Sequence, residues 1–377
     1  MAHFTKLKIG LVFDDTLDNP DGVQQYILAI GEWLTAQGHE VRYLVGATKR
    51  AEERSDIYSL SRNLGVRFNK NRLSVPLPAN REAIKRVLDN EHFDVLHVQL
   101  PCSPMMAGRI VSLAPPETTI VGTFHIVGYN WLANQGAKLL GIWQRKMFQR
   151  FDHIVCVSDA ARDYAIKHFG IEDCSVLPNV ITASRFVGAK PLPHLEDGKV
   201  NIMFLGRLVE RKGCHYLIEA VRRLRDRGAL DNTRVLICGK GPLEGKLKQL
   251  VRRYKLQDHV TFVGFLPEED KASYLASADF VIYPSTGGES FGIVILEAMA
   301  ASKGVVMGGN NEGYRTVLGP QANHLLFNPR NTQVFADKIQ LLMRNPALCK
   351  RLHDWQVKEV VKYDVETVGP KLLEMYL

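Results

Sequence analysis

Residues 287–300 read GGESFGIVILEAMA, a glycine-rich turn that enters a helix directly after the apolar strand FVIYPS. The start of such a helix carries amides without intrahelical acceptors and the positive end of the dipole, so it suits an anion such as a phosphate. Gly292 lets a ligand approach the backbone closely. Glu289 falls in the turn and Glu297 about two helical turns further on, so one can reach a sugar while the other accepts from vicinal ribose hydroxyls. A second cluster, FLGRLVERKG over 204–213, puts Arg207 at the carboxyl end of a strand and Lys212 in the turn before a helix. A guanidinium fork and a compact ammonium together neutralise a diphosphate without a metal. The neighbouring Glu210 and Arg211 read as solvated surface charges.

The N-terminal half offers less. In DDTLDNPDGVQQY, residues 14–26, Gly22 sits just ahead of an amphipathic helix, where its amide can face a phosphate. Asp14, Asp15, Asp18 and Asp21 lack calcium-loop spacing and an evident partner ligand, so they read as loop solvation. His125 closes the strand TTIVGTFH, a position from which it would point at a bound ligand, although a lone histidine is more often structural. The cysteines Cys102, Cys156, Cys174, Cys214, Cys238 and Cys349 form no close pair of the kind that builds zinc or redox sites. No metal site is expected.

These residues need a scaffold, and the 377-residue chain is long enough for two domains. With 46% hydrophobic and 23% charged residues it has an ordinary globular composition, which excludes disordered, collagen-like and disulfide-stapled classes. The net charge of +8 suits an acidic partner, whether phosphate, nucleic acid or an anionic membrane, without choosing among them. Nucleic acid is disfavoured because the bases are dispersed and no reading motif accompanies them. No uncharged apolar run reaches the ~18 residues of a membrane span, and a cytosolic protein is expected.

Apolar runs alternate with helical segments from LKIGLVF through VRYLVG, FDVLHV, TTIVGTFH and FDHIVCVS, then again from VNIMFLG through TRVLICG, HVTFVGFL, FVIYPS and GVVMGG. Such alternation predicts parallel sheets covered on both faces. The periodicity lapses at PNVITASRFVGAKPLPHLEDGK, where one domain hands over to the next. The fold class is therefore α/β, two Rossmann-like doubly wound domains facing an interdomain cleft, with ligands beyond the strands' carboxyl ends. The N-terminal domain is expected over 1–185 and the C-terminal one over 186–354.

Taken together, GGESFGIVILEAMA, FLGRLVERKG and PDGVQQY resemble the family-4 retaining glycosyltransferases of the GT-B fold, which move a sugar from a nucleoside diphosphate to an acceptor. The similarity runs over nearly the whole chain. Among members it is greatest to bacterial phosphatidylinositol mannosyltransferases, through GGESFGIV, FDVLHV, TFH and DKASYLASADF. The resemblance implies that Arg207 and Lys212 stabilise the departing diphosphate, while Gly22, Ser290 and the amides of Phe291, Gly292 and Ile293 bind its oxygens. It implies further that Glu289 holds the sugar, Glu297 the ribose, Leu266 and Lys271 the nucleobase, and that His125 lies near sugar and acceptor. GDP-mannose is the favoured donor, with no cofactor, no essential metal and retained anomeric configuration. It also implies a crossover in which residues 355–377 return to the first domain.

There are departures. Asp21 stands where the lipid enzymes carry a glycine, PNVI replaces PNGV at the hinge, and VPLPANREAIKRVLDNEHFD is shorter than its counterpart and lacks the basic head-group loop, which argues against inositol lipid as the acceptor. A membrane-lipid-linked acceptor is the first expectation and a soluble glycan or metabolite the alternative. Over 136–150, GAKLLGIWQRKMFQR mixes Lys138, Arg145, Lys146 and Arg150 with Leu139, Leu140, Ile142, Trp143, Met147 and Phe148. As a helix it either lies at a bilayer interface, making the protein peripheral on the inner membrane face, or packs its apolar side inward. A dinucleotide oxidoreductase would need GxGxxG after the first strand, which IGLVFDDTLDNPDG does not supply. A non-catalytic nucleotide-sugar-binding protein would not need all of Arg207, Lys212, Glu289 and Glu297.

Overall fold

In the computed structural model, residues 6–18, 21–68, 71–76, 79–128 and 131–377 are described. Asn19 and Pro20 of the first loop, and Leu77 and Pro78 of the shortened segment, lie outside them. The chain divides into two compact units, one of residues 1–181 and 365–377, the other of Thr182–Asp364.

The first unit is built on β1 (Lys8–Phe13), β2 (Glu40–Val45), β3 (Ile57–Ser59), β4 (Asn63–Phe68), β5 (Asn71–Pro76), β6 (Val95–Gln99), β7 (Thr119–Phe124), β8 (His153–Cys156) and β9 (Ser175–Val176). Its helices are α1 (Gly22–Ala36), α2 (Arg81–Glu91), α3 (Met106–Leu113), α4 (Trp131–Phe148) and α5 (Asp159–Tyr164), which runs on into a wider turn over Ala165–Phe169. Seven strands form one sheet in the order β3-β2-β1-β6-β7-β8-β9, and β4 and β5 form a separate antiparallel hairpin that periodicity did not reveal. Every pairing in the large sheet is parallel. Residues such as Val12, Leu96, Val98, Ile84 and Ile110 form the apolar layer between the sheet and the helices α2 and α3.

The second unit contains β10 (Val200–Leu205), β11 (Thr233–Cys238), β12 (Val260–Gly264), β13 (Phe280–Tyr283), β14 (Val305–Gly309) and β15 (Leu326–Phe327), with α6 (Cys214–Asp226), α7 (Glu244–Arg253), α8 (Glu268–Ala276), α9 (Ile293–Ala301), α10 (Glu312–Leu318), α11 (Ala322–Leu325), α12 (Thr332–Met343) and α13 (Pro346–Val360). Its six strands run β12-β11-β10-β13-β14-β15, again all parallel. Strand order reverses between β1 and β6 in one unit and between β10 and β13 in the other. Beyond the carboxyl ends of those strands lies the crevice where doubly wound sheets take their ligands.

Two boundaries differ from the sequence reading. The units part after Ile181, not Arg185, and the return to the first unit starts at Val365, not Trp355. Residues 355–364 stay with the second unit because α13 is pinned there: Gln356 donates from Nε2 to the Val306 carbonyl of β14 at 2.8 Å and accepts from the Val306 amide at 3.1 Å. The return helix α14 (Val365–Leu373) packs on α1, where Trp33 donates from Nε1 to Glu366 at 3.0 Å. Among the described residues, no helix is long and apolar enough to cross a membrane.

Candidate active site

At the reversal point of the second unit, the loop after β10 and the loop after β13 are stitched together by the Arg211 carbonyl. It accepts from the Thr286 amide at 2.9 Å and from Ser285 Oγ at 3.1 Å. Gly213 makes the sharp exit from the first loop into α6, at φ 70, and a Cβ there would lie 2.0 Å from the Pro284 carbonyl oxygen. Only glycine fits that backbone and that approach. Lys212, the residue before it, is thereby aimed at the β13 loop.

Glu289 is what Lys212 meets. Its Oε1 accepts from Lys212 Nζ at 2.8 Å, Arg211 Nη1 at 2.6 Å and Ser285 Oγ at 2.8 Å. Arg211 is therefore a member of the cluster, not the solvated charge its sequence context implied. Arg207 is exposed, yet near enough for its charge to act on Lys212. Two cations thus hold one carboxylate, and a third stands near the lysine. Burial works to raise the Glu289 carboxyl, but Lys212 and Arg211 outweigh it and hold it below the usual range. Burial lowers Lys212, Glu289 opposes, and Arg211 and Arg207 add to the lowering. The cations act in the same sense on both groups, holding the Glu289 carboxyl down and adding to what burial does to Lys212.

The turn from Ser290 into α9 places Gly292 at the N-cap with φ 113 and no side-chain cap, so the helix's first amides are not closed off by a side chain. Phe291 is 1% exposed and Ile293 5%, so these side chains belong to the core. The expected contacts from Phe291 and Ile293 are their backbone amides, which side-chain burial does not occupy, and Ser290, Gly292 and Val294 are half-buried. Glu297 is buried inside α9, its Oε1 2.8 Å from Lys271 Nζ, and Lys271 also reaches Glu268 at 2.6 Å. Both charges are taken out of water as a pair, so each meets the other here. Burial raises Glu297 against Lys271, while two carboxylates overcome burial and raise Lys271. Leu266 is half-buried in the loop after β12, next to the exposed Phe265.

In the first unit, three of the four aspartates turn out to be structural. Asp14 is buried, bonded to the Ser103 hydroxyl and to the Ala107 amide at 2.7 Å, and burial raises its carboxyl. Asp18 accepts from Thr48 Oγ1 at 2.7 Å and the Lys49 amide at 3.0 Å. Asp21 is the N-cap of α1 and accepts from the Val23 and Gln24 amides. Gly22 is the first residue of that helix and exposed. The Asp21 carboxylate occupies the Val23 and Gln24 amides next to it.

His125 follows β7 with its ring buried. Nε2 donates to Gln99 Oε1 at 2.8 Å, and Tyr26 of α1 lies edge-on with ring centres 5.2 Å apart. One residue pair deeper, His97 Nε2 bonds Thr123 Oγ1 at 2.6 Å, and the hydroxyl of Tyr376, beyond α14, bonds His97 Nδ1 at 2.7 Å. Burial pushes both imidazoles down to about 3, with a further push on His125 from His97. Both rings are neutral at ordinary pH. Gln99, His97 and Thr123 were missed in the sequence, although VLHVQ pairs His97 with Gln99 and GTFH pairs Thr123 with His125 at a spacing of two, on one strand face, and Tyr376 was missed because its contact with His97 is nonlocal. Among the described residues no three His, Cys, Asp or Glu converge to hold a metal, and all six cysteines are free.

The family model "Glycosyltransferase Family 4" matches residues 20–185 and the model "Glycosyl transferases group 1" matches residues 191–356. The chain is 30% identical to the phosphatidyl-myo-inositol mannosyltransferase of Mycobacterium leprae (strain TN), over 98% of this chain and 96% of that protein. To the protein of the same name from Mycolicibacterium smegmatis it is 31% identical over 83% of this chain and 78% of that one. Among solved structures, a glycosyltransferase from Rickettsia africae ESF-5 superposes with a TM-score of 0.78 at 18% identity, covering 99% and 98% of the two chains. The Anabaena Alr3699/HepE protein in complex with UDP gives 0.77 at 18%, covering 98% and 99%. The architecture is GT-B.

Proposed function

Since the chain belongs to the glycosyltransferases of family 4 and group 1, we propose that it transfers a hexose from a nucleoside-diphosphate sugar to a membrane-lipid-linked acceptor. Mannose from GDP-mannose is the favoured donor, the anomeric configuration is retained and no metal is essential. The observation that carries this reading is the cation excess at the β10/β13 reversal, where Arg211 and Lys212 both meet Glu289 and Arg207 stands close enough to act on Lys212. A departing diphosphate supplies the missing negative charge, and charge stabilisation of the leaving group is the main catalytic contribution.

In this reading Arg207 and Lys212 take the diphosphate oxygens, with Ser290 and the amide of Gly292 at the start of α9. Glu289 Oε2, which receives none of the three bonds on Oε1, holds a sugar hydroxyl. Glu297, kept in place by Lys271, accepts from the ribose, and Leu266 borders the base. The His125 ring donates through Nε2 to Gln99, which leaves Nδ1 as an acceptor for a hydroxyl of the acceptor substrate. Acceptor attack and leaving-group departure share one face of the sugar through an oxocarbenium-like state. Both mannose and the lipid tie are supported by the names of the relatives, each about 30% identical.

The test is release of nucleoside diphosphate from a panel of GDP- and UDP-hexoses, with a lipid extract and with soluble glycans, followed by NMR of the product's anomeric proton. GDP-mannose consumption with lipid-borne α-mannose supports the reading. Unchanged turnover in both Lys212→Ala and Glu289→Ala removes the assigned site, and transfer to soluble glycans alone removes the lipid.

A further inference from the structure

We propose that the outer face of α4 is a docking surface for an anionic lipid bilayer, entered by Leu139, Ile142 and Trp143. The helix has two faces of unlike fate. Gly141 and Gln144 are buried, and Phe148 meets Phe169 of the following turn with ring centres 6.5 Å apart, so this side holds α4 to its own unit. On the other side Leu139, Ile142 and Trp143 are 71%, 75% and 71% exposed. At helical spacing they form one contiguous patch. The inward-packing alternative for this segment thus fails for three of its largest apolar residues, since a core-facing helix would have hidden them.

Charge selects the occupant. Lys138, Arg145 and Lys146 are exposed beside the patch, and the helix sequence WLANQGAKLLGIWQRKMF holds no acidic residue. Apolar side chains at the centre, an indole at head-group depth and bases at the rim match an interface in which acyl chains lie beneath anionic head groups. A second copy of this chain would set the same cations against themselves, which like-charge repulsion disfavours. This deepens the lipid-acceptor reading by naming the face that meets the lipid, and its test needs no transfer activity.

The full chain is sedimented with vesicles of phosphatidylcholine alone and with added phosphatidylglycerol, at low and high salt. Two variants accompany it, Leu139→Gln/Ile142→Gln/Trp143→Gln and Lys138→Gln/Arg145→Gln/Lys146→Gln, each checked for an unchanged melting curve. Binding to the anionic vesicles that weakens with salt is expected for the parent. Loss of three charges lowers the affinity about 100-fold, at roughly fivefold per charge, and the apolar variant loses binding at all salts. No sedimentation of the parent at low salt overturns the proposal, as does an apolar variant that binds like the parent. So does a concentration-dependent dimer of the parent that the apolar variant abolishes. Vesicle binding with no sugar transfer to any lipid leaves the docking face standing and removes the lipid-acceptor function.

Discussion

Lys212 is the residue on which most of the chemistry rests, because it is held between a carboxylate and two guanidiniums. Lys212→Ala is expected to lower kcat/KM by about 100- to 1000-fold, as loss of one preorganised charge donor does, with the melting temperature as control for folding. Its ammonium lies below the usual lysine range because burial and neighbouring cations outweigh Glu289. Donor affinity therefore falls as pH rises through that lowered pKa, and a bound diphosphate raises the pKa again. Calorimetry in buffers of different ionisation enthalpy should detect proton uptake on binding at alkaline pH. His97 and His125 give a second pH effect of opposite sense. Their folded pKa values, about 3, lie below the unfolded value of 6.5. Their stabilising contribution is complete above about pH 6.5 and is lost as pH falls toward 3. At about pH 5 each ring costs roughly 2 kcal/mol, and urea melts across that range read it directly. Arg207, Lys212 and Glu289 were legible in the sequence because each stands next to a glycine turn after an apolar strand. Arg211 was not, since only the fold of the neighbouring loop brings Glu289 to it, and spacing along the chain carries no such information.

The elements were largely written in local pattern. Parallel strands buried on both faces appear as continuous apolar runs, so FDVLHV, VNIMFLG and FVIYPS mark β6, β10 and β13 without ambiguity. The short edge strands β9 and β15 and the β4–β5 hairpin lack such runs, and hydrogen bonding to a neighbour, not composition, makes them strands. The Asp21 cap was hidden by the opposite ambiguity, since an aspartate before a helix serves equally as a solvated loop residue. Asp21→Ala should cost about 1 kcal/mol through the lost capping bonds. It also frees the α1 amides, and any gain in nucleotide affinity would show that the carboxylate had been competing for them. At the other critical helix start, Gly213→Ala meets a carbonyl at 2.0 Å and a left-handed backbone. A loss of about 1–3 kcal/mol is expected, together with weaker donor binding as Lys212 shifts.

At the scale of the molecule, the chain ends where it began. Residues 365–377 close the first unit, and Val365, Val368, Leu372, Leu373 and Tyr376 are all buried in it. At roughly 1.5–3 kcal/mol for each buried side chain, their removal costs about as much as a domain's whole stability of ~5–15 kcal/mol. Truncation after Asp364 should leave the first unit unfolded, visible as lost amide protection over β1, β6 and β7. The gentler Tyr376→Phe removes only the hydrogen bond to His97 and should cost about 1–3 kcal/mol by leaving a buried ring nitrogen unpaired. That crossover was legible only through the family resemblance, and its start was misplaced because Gln356 ties α13 to β14 by contacts nonlocal in sequence. The account as a whole stands on the second unit binding a diphosphate at its cation excess. Isothermal titration of GDP into the full chain and into Arg207→Ala/Lys212→Ala tests it most directly. Binding by the parent that weakens at least about 100-fold in the double variant, a loss near 2.7 kcal/mol, is the predicted result; equal affinity in the two proteins would contradict it.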